Sequence, residues 1–320
     1  MRKPKEIFFF LETFAYYKQL LKYNASVHTD DDLQKMQFTI LRENHVIEKG
    51  MSMRSPRKGF GQEKITNLIN RLCKYYNLYH SVDLNFLIYP LSTIKSYILY
   101  SHENEIQIFD IENRFLQLLE KTKLEIELKD ECGIKLIKKE EIYKTLPQNF
   151  SDFVNSRHSI RYFSKETPDL LTIKNALEIA QQTPSACNRQ GWIAHIFYGS
   201  KNQELLQWQN GAKNFENEVP FSILITANMK AFLYYEPFQL YVDGGLYAMS
   251  LIYALHSLKL GTIPLSCGFD HKKLAKLKTN FEIPENEVPI IIIGVGCLLD
   301  EFNVAISTRK DINLTTVTHC

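Results

Sequence analysis

The chain has 320 residues, 45% of them apolar and 23% charged, with a formal net charge of +2. That composition excludes a disordered chain, and the length allows one large domain or two modest ones. The near balance of charge gives no reason to expect nucleic acid or a membrane surface as a partner, and no run of apolar residues is long enough to span a bilayer.

The first 150 residues read as mostly helical, with no role assigned to them. The opening stretch has a basic head and a short apolar run broken by Glu12 and Lys18, with no cleavage site after it. It predicts an amphipathic helix rather than a signal peptide, and cysteines without a C-x-x-C pair read as reduced thiols of a cytoplasmic protein. Phe8 to Tyr23 is aromatic-rich at helical spacing. Gly61 to Tyr79 carries an i, i+3, i+4 stripe of Ile65, Leu68, Ile69, Leu72 and Tyr76, and Phe109 to Lys129 keeps Phe115, Leu118 and Leu119 on one side. Between the first two of these, His45 to Gly61 holds three glycines, Pro56, and the basic residues Lys49, Arg54, Arg57 and Lys58. It reads as a shaped loop in which His45 and Lys49 are candidate substrate contacts. Lys135 to Leu146 is lysine-rich and ends at Pro147, a linker into a second domain over 151–320.

There the pattern changes to α+β. Asp169 to Gln182 predicts a helix, entered through Thr167-Pro168-Asp169 and stopped by Pro184. Trp192 to Gly199, Phe221 to Ala227 and Val288 to Leu298 predict strands. Tyr241 to Leu260 predicts a long helix closed by Gly261 and apolar nearly all round, which demands burial; a subunit interface would provide it. Gly294-Val295-Gly296 lies inside a strand, lacks a third glycine and precedes no helix, so it is not read as a dinucleotide fingerprint. The six cysteines, at 73, 132, 187, 267, 297 and 320, form no C-x-x-C pair, and no Cys/His cluster has metal-ligand spacing.

Four segments carry chemistry. In Arg157-His158-Ser159-Ile160-Arg161, two arginines and a hydroxyl can converge on one phosphate, although an exposed basic turn would look the same. In Pro184-Ser185-Ala186-Cys187-Asn188-Arg189-Gln190-Gly191-Trp192, the polar side chains of Ser185, Asn188 and Gln190 suit the edge of a heterocycle, or else an ordinary polar loop. Gly261 to Phe269 includes Cys267 and Gly268, and Gly268 would let a flat ligand approach the backbone. Arg309 is a further cation near the C-terminus. Phe232 to Phe238 is either an aromatic lid, with Tyr235 and Phe238 as substrate contacts, or a core patch.

Taken in order, these segments resemble the nitroreductase family of FMN enzymes. The matching text is Arg157-His158-Ser159-x-Arg161, then Pro184-Ser185-x-x-Asn188-x-Gln190-x-Trp192. After these come Val242-Asp243-Gly244-Gly245 opening the long helix, Leu260-Gly261-Thr262 closing it, and Val295-Gly296 in the last strand. The resemblance implies a nitroreductase-like sheet flanked by helices and a homodimer holding each FMN at the subunit interface. It implies that Arg157, Ser159, Arg161 and Arg309, with His158 among them, hold the FMN phosphate. Pro184, Ser185, Asn188 and Gln190 would run along the ring and ribityl chain, and Cys267 and Gly268 would lie by flavin N5. It further implies ping-pong transfer from NAD(P)H to an electron-poor acceptor (nitro, quinone or conjugated), with no side-chain acid or base required. Four positions depart from the family pattern: Gly191 replaces a proline, Met249-Ser250 replaces Gln-Asn, and Ser307 replaces a basic residue. In the N-terminal half, His45-x-x-Glu48-Lys49-Gly50 followed by Arg57-x-Gly59-Phe60-Gly61 resembles extended members associated with bacterial polysaccharide genes, which implies a sugar-linked or otherwise specialised substrate, or a partner. Two other functions stay open: a flavin dehydrogenase or oxidase running in the oxidising direction, and a non-catalytic dimeric binding module.

Overall fold

Apolar residues at helical spacing build the first half of the chain. The computed structural model describes residues 4–26, 29–52, 59–129, 132–134, 149–213, 215–302 and 311–319. Its first helices are α1 (Pro4–Tyr23), α2 (Leu33–Met51), α3 (Gln62–Tyr79), α4 (Ile88–Glu103) and α5 (Phe109–Thr122). Helices α2 to α5 close around one core that includes Met36, Ile40, Leu68, Leu72, Ile94 and Leu118. Helix α1 does not join it. Its Leu20 packs with Met229, Phe232, Leu240 and Val288 of the second half, so the first helix in sequence belongs by contact to the C-terminal domain.

The basic loop predicted over 45–61 is corrected in part. His45 to Met51 continues α2, because Met36, Ile40, Ile47 and Met51 keep one buried face turning at helical pitch. Gly50 sits inside that helix and serves packing: a Cβ there would collide with the Phe60 ring. Residues 53–58 lie outside the described residues. Gly59 and Gly61 make the turn into α3, both with positive φ.

The second half holds α6 (Phe150–Ser156), α7 (Leu170–Ala180), β1 (Trp192–Tyr198), α8 (Gly199–Trp208), β2 (Phe221–Asn228), α9 (Gln239–Ser257), β3 (Leu260–Ser266), α10 (His271–Asn280) and β4 (Glu287–Cys297). The strands form one antiparallel sheet in the order β1-β2-β4-β3. Period-two alternation sends Phe221, Ile223, Ile225, Ile293 and Val295 toward α7 and α9, and Leu224, Ile292, Ile263 and Leu265 toward the cluster holding Leu205, Leu206 and Leu277 of α8 and α10. A bulge between Ile225 and Thr226 absorbs Ile290 and brings Pro289 opposite Thr226.

The long helix ends earlier than its hydrophobicity predicts. It stops at Ser257, Lys259 takes a left-handed conformation (φ 65°), and Leu260 already belongs to β3. The text is apolar on both sides of this break, so no change of period marks it. Gly294 and Gly296 answer to packing. A Cβ on Gly296 would stand 2.5 Å from the Phe163 ring, so the strand must be bare there for that ring to cross it.

The two halves are stitched together beside the sheet. Tyr16 Oη donates to Pro237 O (2.9 Å), Ala25 N to Phe232 O (2.8 Å), and Lys230 pairs with Asp32 at the start of α2 (2.8 Å). Among the described residues, no helix is long and apolar enough to cross a membrane.

Candidate functional site

The arginine-bearing segment is laid along the edge strand β3. Ser159 bridges Thr262 in parallel, Ile160 N donates to Thr262 O (2.9 Å), and Ser164 N donates to Cys297 O (2.9 Å). Ile160 and Phe163 are buried anchors. Alternation along this extended stretch turns Arg157, Ser159 and Arg161 to the side opposite Ile160. Arg157 and Ser159 are half-buried, and Arg161 and His158 are exposed. Residues four apart in extended chain are separated by about 13 Å, so the two guanidinium stems line a path and do not start from one point. Arg157 also faces the C-terminal end of α9. There burial, with the charge of Arg157 added to it, holds His256 below the usual histidine range.

The same strand ends at Ser266 and delivers Cys267 and Gly268, about 16 Å along from Thr262 at ordinary strand rise. Open space surrounds the place a Gly268 Cβ would occupy. The Cys267 thiol is pushed up to about 12 by burial, so it is a protonated packing group. Gln209, which the sequence reading did not single out, is buried and donates from Nε2 to Ser266 O (2.8 Å), pinning this strand end.

The turn Pro184 to Gly191 stands at the same end of the sheet but on the opposite edge, before β1. Cys187, Asn188 and Gln190 all have positive φ (50°, 51° and 49°), a conformation that side chains other than glycine adopt at a cost of about 1–3 kcal/mol each. The surroundings hold the turn in that shape. Ser185 Oγ accepts from Gln190 N (2.9 Å), Asp243 Oδ2 accepts from Ala186 N (3.1 Å), and Gln190 Nε2 reaches Asn188 Oδ1 (3.3 Å). Arg189 is fully buried: it donates to Ala186 O and Ala231 O and forms a two-point pair with Glu236 (2.7 and 3.0 Å). Burial alone would raise the Glu236 carboxyl; hydrogen bonds from Arg189 and Leu233 N outweigh it and hold the group below its ordinary range. Gly191 is buried with a hypothetical Cβ 2.8 Å from Ala231 Cβ, so this departure from the family pattern admits a close neighbour. Asn188 and Gln190 themselves remain exposed.

The remaining candidates are scattered. In the segment 232–238, Phe232 is core and Glu236 is clamped by Arg189, while Tyr235 and Phe238 are exposed. His45 faces Glu48 across one helical turn (3.8 Å), and Lys49 is exposed. Arg309 lies outside the described residues. Among the described residues, no cluster of His, Cys, Asp and Glu could hold a metal ion.

A cavity of about 1030 Å³ opens beside Ser266, Cys267 and Gly268. Its other walls are α1, through Tyr16, Gln19 and Lys22, and α10, through Leu274 and Lys278. Tyr235, Phe238, His45 and Lys49 do not line it.

Residues 154–297 match the family model described as Nitroreductase family. No curated protein matches the chain. Among solved structures, a nitroreductase family protein from Streptococcus pneumoniae is similar at 22% identity, over 53% of this chain and 100% of its own, with a TM-score of 0.45. A candidate nitroreductase from Desulfovibrio desulfuricans, in complex with FMN, is similar at 17% identity over 55% of this chain and 99% of its own (TM-score 0.48). A nitroreductase-like protein from Streptococcus mutans shares 21% identity over 53% and 98%, with a TM-score of 0.45.

Proposed function

Residues 154–297 form a domain of the Nitroreductase family, and from that premise we propose that the protein is an FMN-dependent oxidoreductase acting as a homodimer. It would pass electrons from NAD(P)H to an electron-poor small molecule. One observation carries this reading. The groups suited to FMN occupy two edges of one sheet, Arg157 to Arg161 with Cys267-Gly268 on β3 and Ser185 to Gln190 on β1. Three strand spacings, about 14 Å, separate those edges. A filled cluster of Met229, Phe232, Leu240 and Val288 caps the two strands between them. Neither half suffices within one chain, and a second copy supplies the missing half to each.

Helix α9 favours the same pairing. Val242, Leu246 and Met249 form a stripe at helical spacing that the chain leaves exposed (52%, 47% and 36%), on a helix whose opposite side is the domain core. An exposed apolar stripe on a central helix marks an interface.

The residues present fit the cofactor. Two arginines and a hydroxyl on one side of an extended segment suit a phosphate dianion and the chain leading from it. The β3 end, free of side-chain obstruction at Gly268, suits close approach of a flat ring to backbone. The preformed turn presents Asn188 and Gln190 outward to a ring edge. When bound, FMN accepts hydride and returns electrons, and the protein binds and orients it. Backbone N–H groups at the β3 end would favour the negative charge of the reduced state. His158 and Cys267 supply no acid or base in this reading. The testing experiment is purification of the full chain with FMN added, followed by NAD(P)H under anaerobic conditions. A yellow protein that bleaches is expected. A dimer that stays colourless with excess FMN would refute the reading.

A further inference from the structure

Resting on that flavin reading, we infer that the cavity between α1 and α10 is the acceptor pocket, and that it takes a conjugated small molecule bearing a carboxylate or phosphate held by Lys278. The argument begins with a buried cation. Lys278 is only 7% exposed and lines the cavity. Its Nζ donates to Glu285 O (3.0 Å), which uses one of the three donors of an ammonium group. Among the described residues, no carboxylate lies within ion-pair distance of it, and an ammonium taken out of water without a counter-charge is unfavourable. Burial lowers its pKa to about 8, against weaker opposing pulls from Glu287 and Glu285.

The nearest acids are otherwise engaged. The Glu285 carboxylate accepts from Tyr23 Oη (2.6 Å) and Lys22 Nζ (3.1 Å). Glu287 is buried between His195 (2.7 Å) and Thr226 Oγ1 (2.5 Å). An oxyanion entering the cavity would give Lys278 the partner that the chain withholds.

The rest of the wall selects for a flat, partly apolar body. Tyr16 and Tyr241 stand ring to ring at 6.3 Å on one side, and Phe269 and Leu274 lie on another. Tyr16 is fixed by its bond to Pro237 O, and burial followed by the neighbouring Tyr241 keeps its phenol protonated. The cavity volume is at the upper end of the roughly 300–1,000 Å³ usual for small-molecule sites, and Cys267-Gly268 brings it to the strand end assigned above to the ring. Helix α1 lies outside the family domain. This wall is therefore supplied by the extension, which gives the first helix a role in choosing the substrate.

The test is calorimetric titration of the full chain, with FMN present, using 4-nitrobenzoate and nitrobenzene as probes. At neutral pH the acid should bind about tenfold more tightly, the scale of one charge-assisted hydrogen bond. Lys278→Met should erase that preference, and Ala15→Trp, which narrows the groove from α1, should weaken both probes. Acid binding should also fall between about pH 7 and pH 9 as the free ammonium deprotonates. The groups facing Lys278 and the cavity are Glu285, Glu287 with its partner His195, Glu282, His271, Lys18 and Lys22. Of these, hydrogen bonds with Tyr23 and with each other hold Lys22 above and Glu285 below their ordinary values. Equal binding of the two probes by the unaltered chain overturns the proposal, as does a preference that survives in folded Lys278→Met. If that variant does not fold, the pH series and Ala15→Trp decide. A yellow, NAD(P)H-bleached protein with no preference for the acid sinks the pocket alone. A colourless protein that keeps the preference sinks the flavin reading and leaves the anion site standing.

Discussion

Arg189 shows how much of the candidate turn rests on one buried side chain. It sits in a turn with three residues in left-handed conformation, and its guanidinium ties that turn to Ala231 O and Glu236. Removing it leaves Glu236 without its counter-charge, a loss of about 3 kcal/mol or more for a buried pair. Urea unfolding of Arg189→Ala should show a loss of this order, and FMN affinity should fall with it as the turn relaxes. The pair also sets an acid limit. The folded-state pKa of Glu236 lies below its unfolded value. Its contribution is therefore complete above the ordinary glutamate range and is lost as pH falls through that range to the folded value. In Arg189→Ala this part of the acid sensitivity should vanish. Arg157 and Arg161 belong to a different class, since each is expected to meet the ligand. Arg161→Ala should weaken FMN binding about tenfold or more in a fluorescence titration, with stability unchanged to within about 0.5 kcal/mol because the side chain is exposed.

Among the elements, α9 yields the most direct prediction. Leu246→Glu places a charge in the middle of its exposed stripe, where a monomer would tolerate it and an apolar interface would not. Sedimentation should show the dimer replaced by monomer, with bound flavin lost in parallel. What could be read from the sequence at this scale follows from periodicity. Helices α1, α3 and α5 and strands β1, β2 and β4 have clear apolar spacing, and their boundaries fall within a few residues of the structure, apart from the charged tail of the third predicted helix, which stops at Thr122. Strand β3 was hidden because apolar text resumes at Leu260 only three residues after the helix ends, and the short polar interruption at His256, Ser257 and Lys259 fits one face of a continuing helix. Helix α2 was obscured by Gly50 and the basic residues after it, which suggest a loop until Phe60 is known to need the space. The motif segments were visible because polar residues stood where local structure did not require them. Arg189, Gln209 and Lys278 were not, since no spacing rule connects Arg189 to Ala231 and Glu236, Gln209 to Ser266, or Lys278 to Glu285.

The whole molecule turns on a division of labour between the two edges of its sheet. One edge offers cations and an open strand end, and the other offers a rigid polar turn. The N-terminal half adds α1 as a wall over the cavity beside the first edge, while α2 braces the neighbourhood of the second through Asp32 with Lys230 and Gln34 with Asn228. The most direct test of the shared site is subunit complementation. One chain would carry Arg157→Ala with Arg161→Ala, the other Asn188→Ala with Gln190→Ala, and the two would be co-expressed and the mixed dimer isolated by orthogonal tags. Neither homodimer should hold FMN. In the mixed dimer both defects fall on one site and the other is intact, so the account predicts one FMN for each mixed pair. A mixed dimer as empty as its parents would contradict it, because a site built within a single chain would be damaged in both copies.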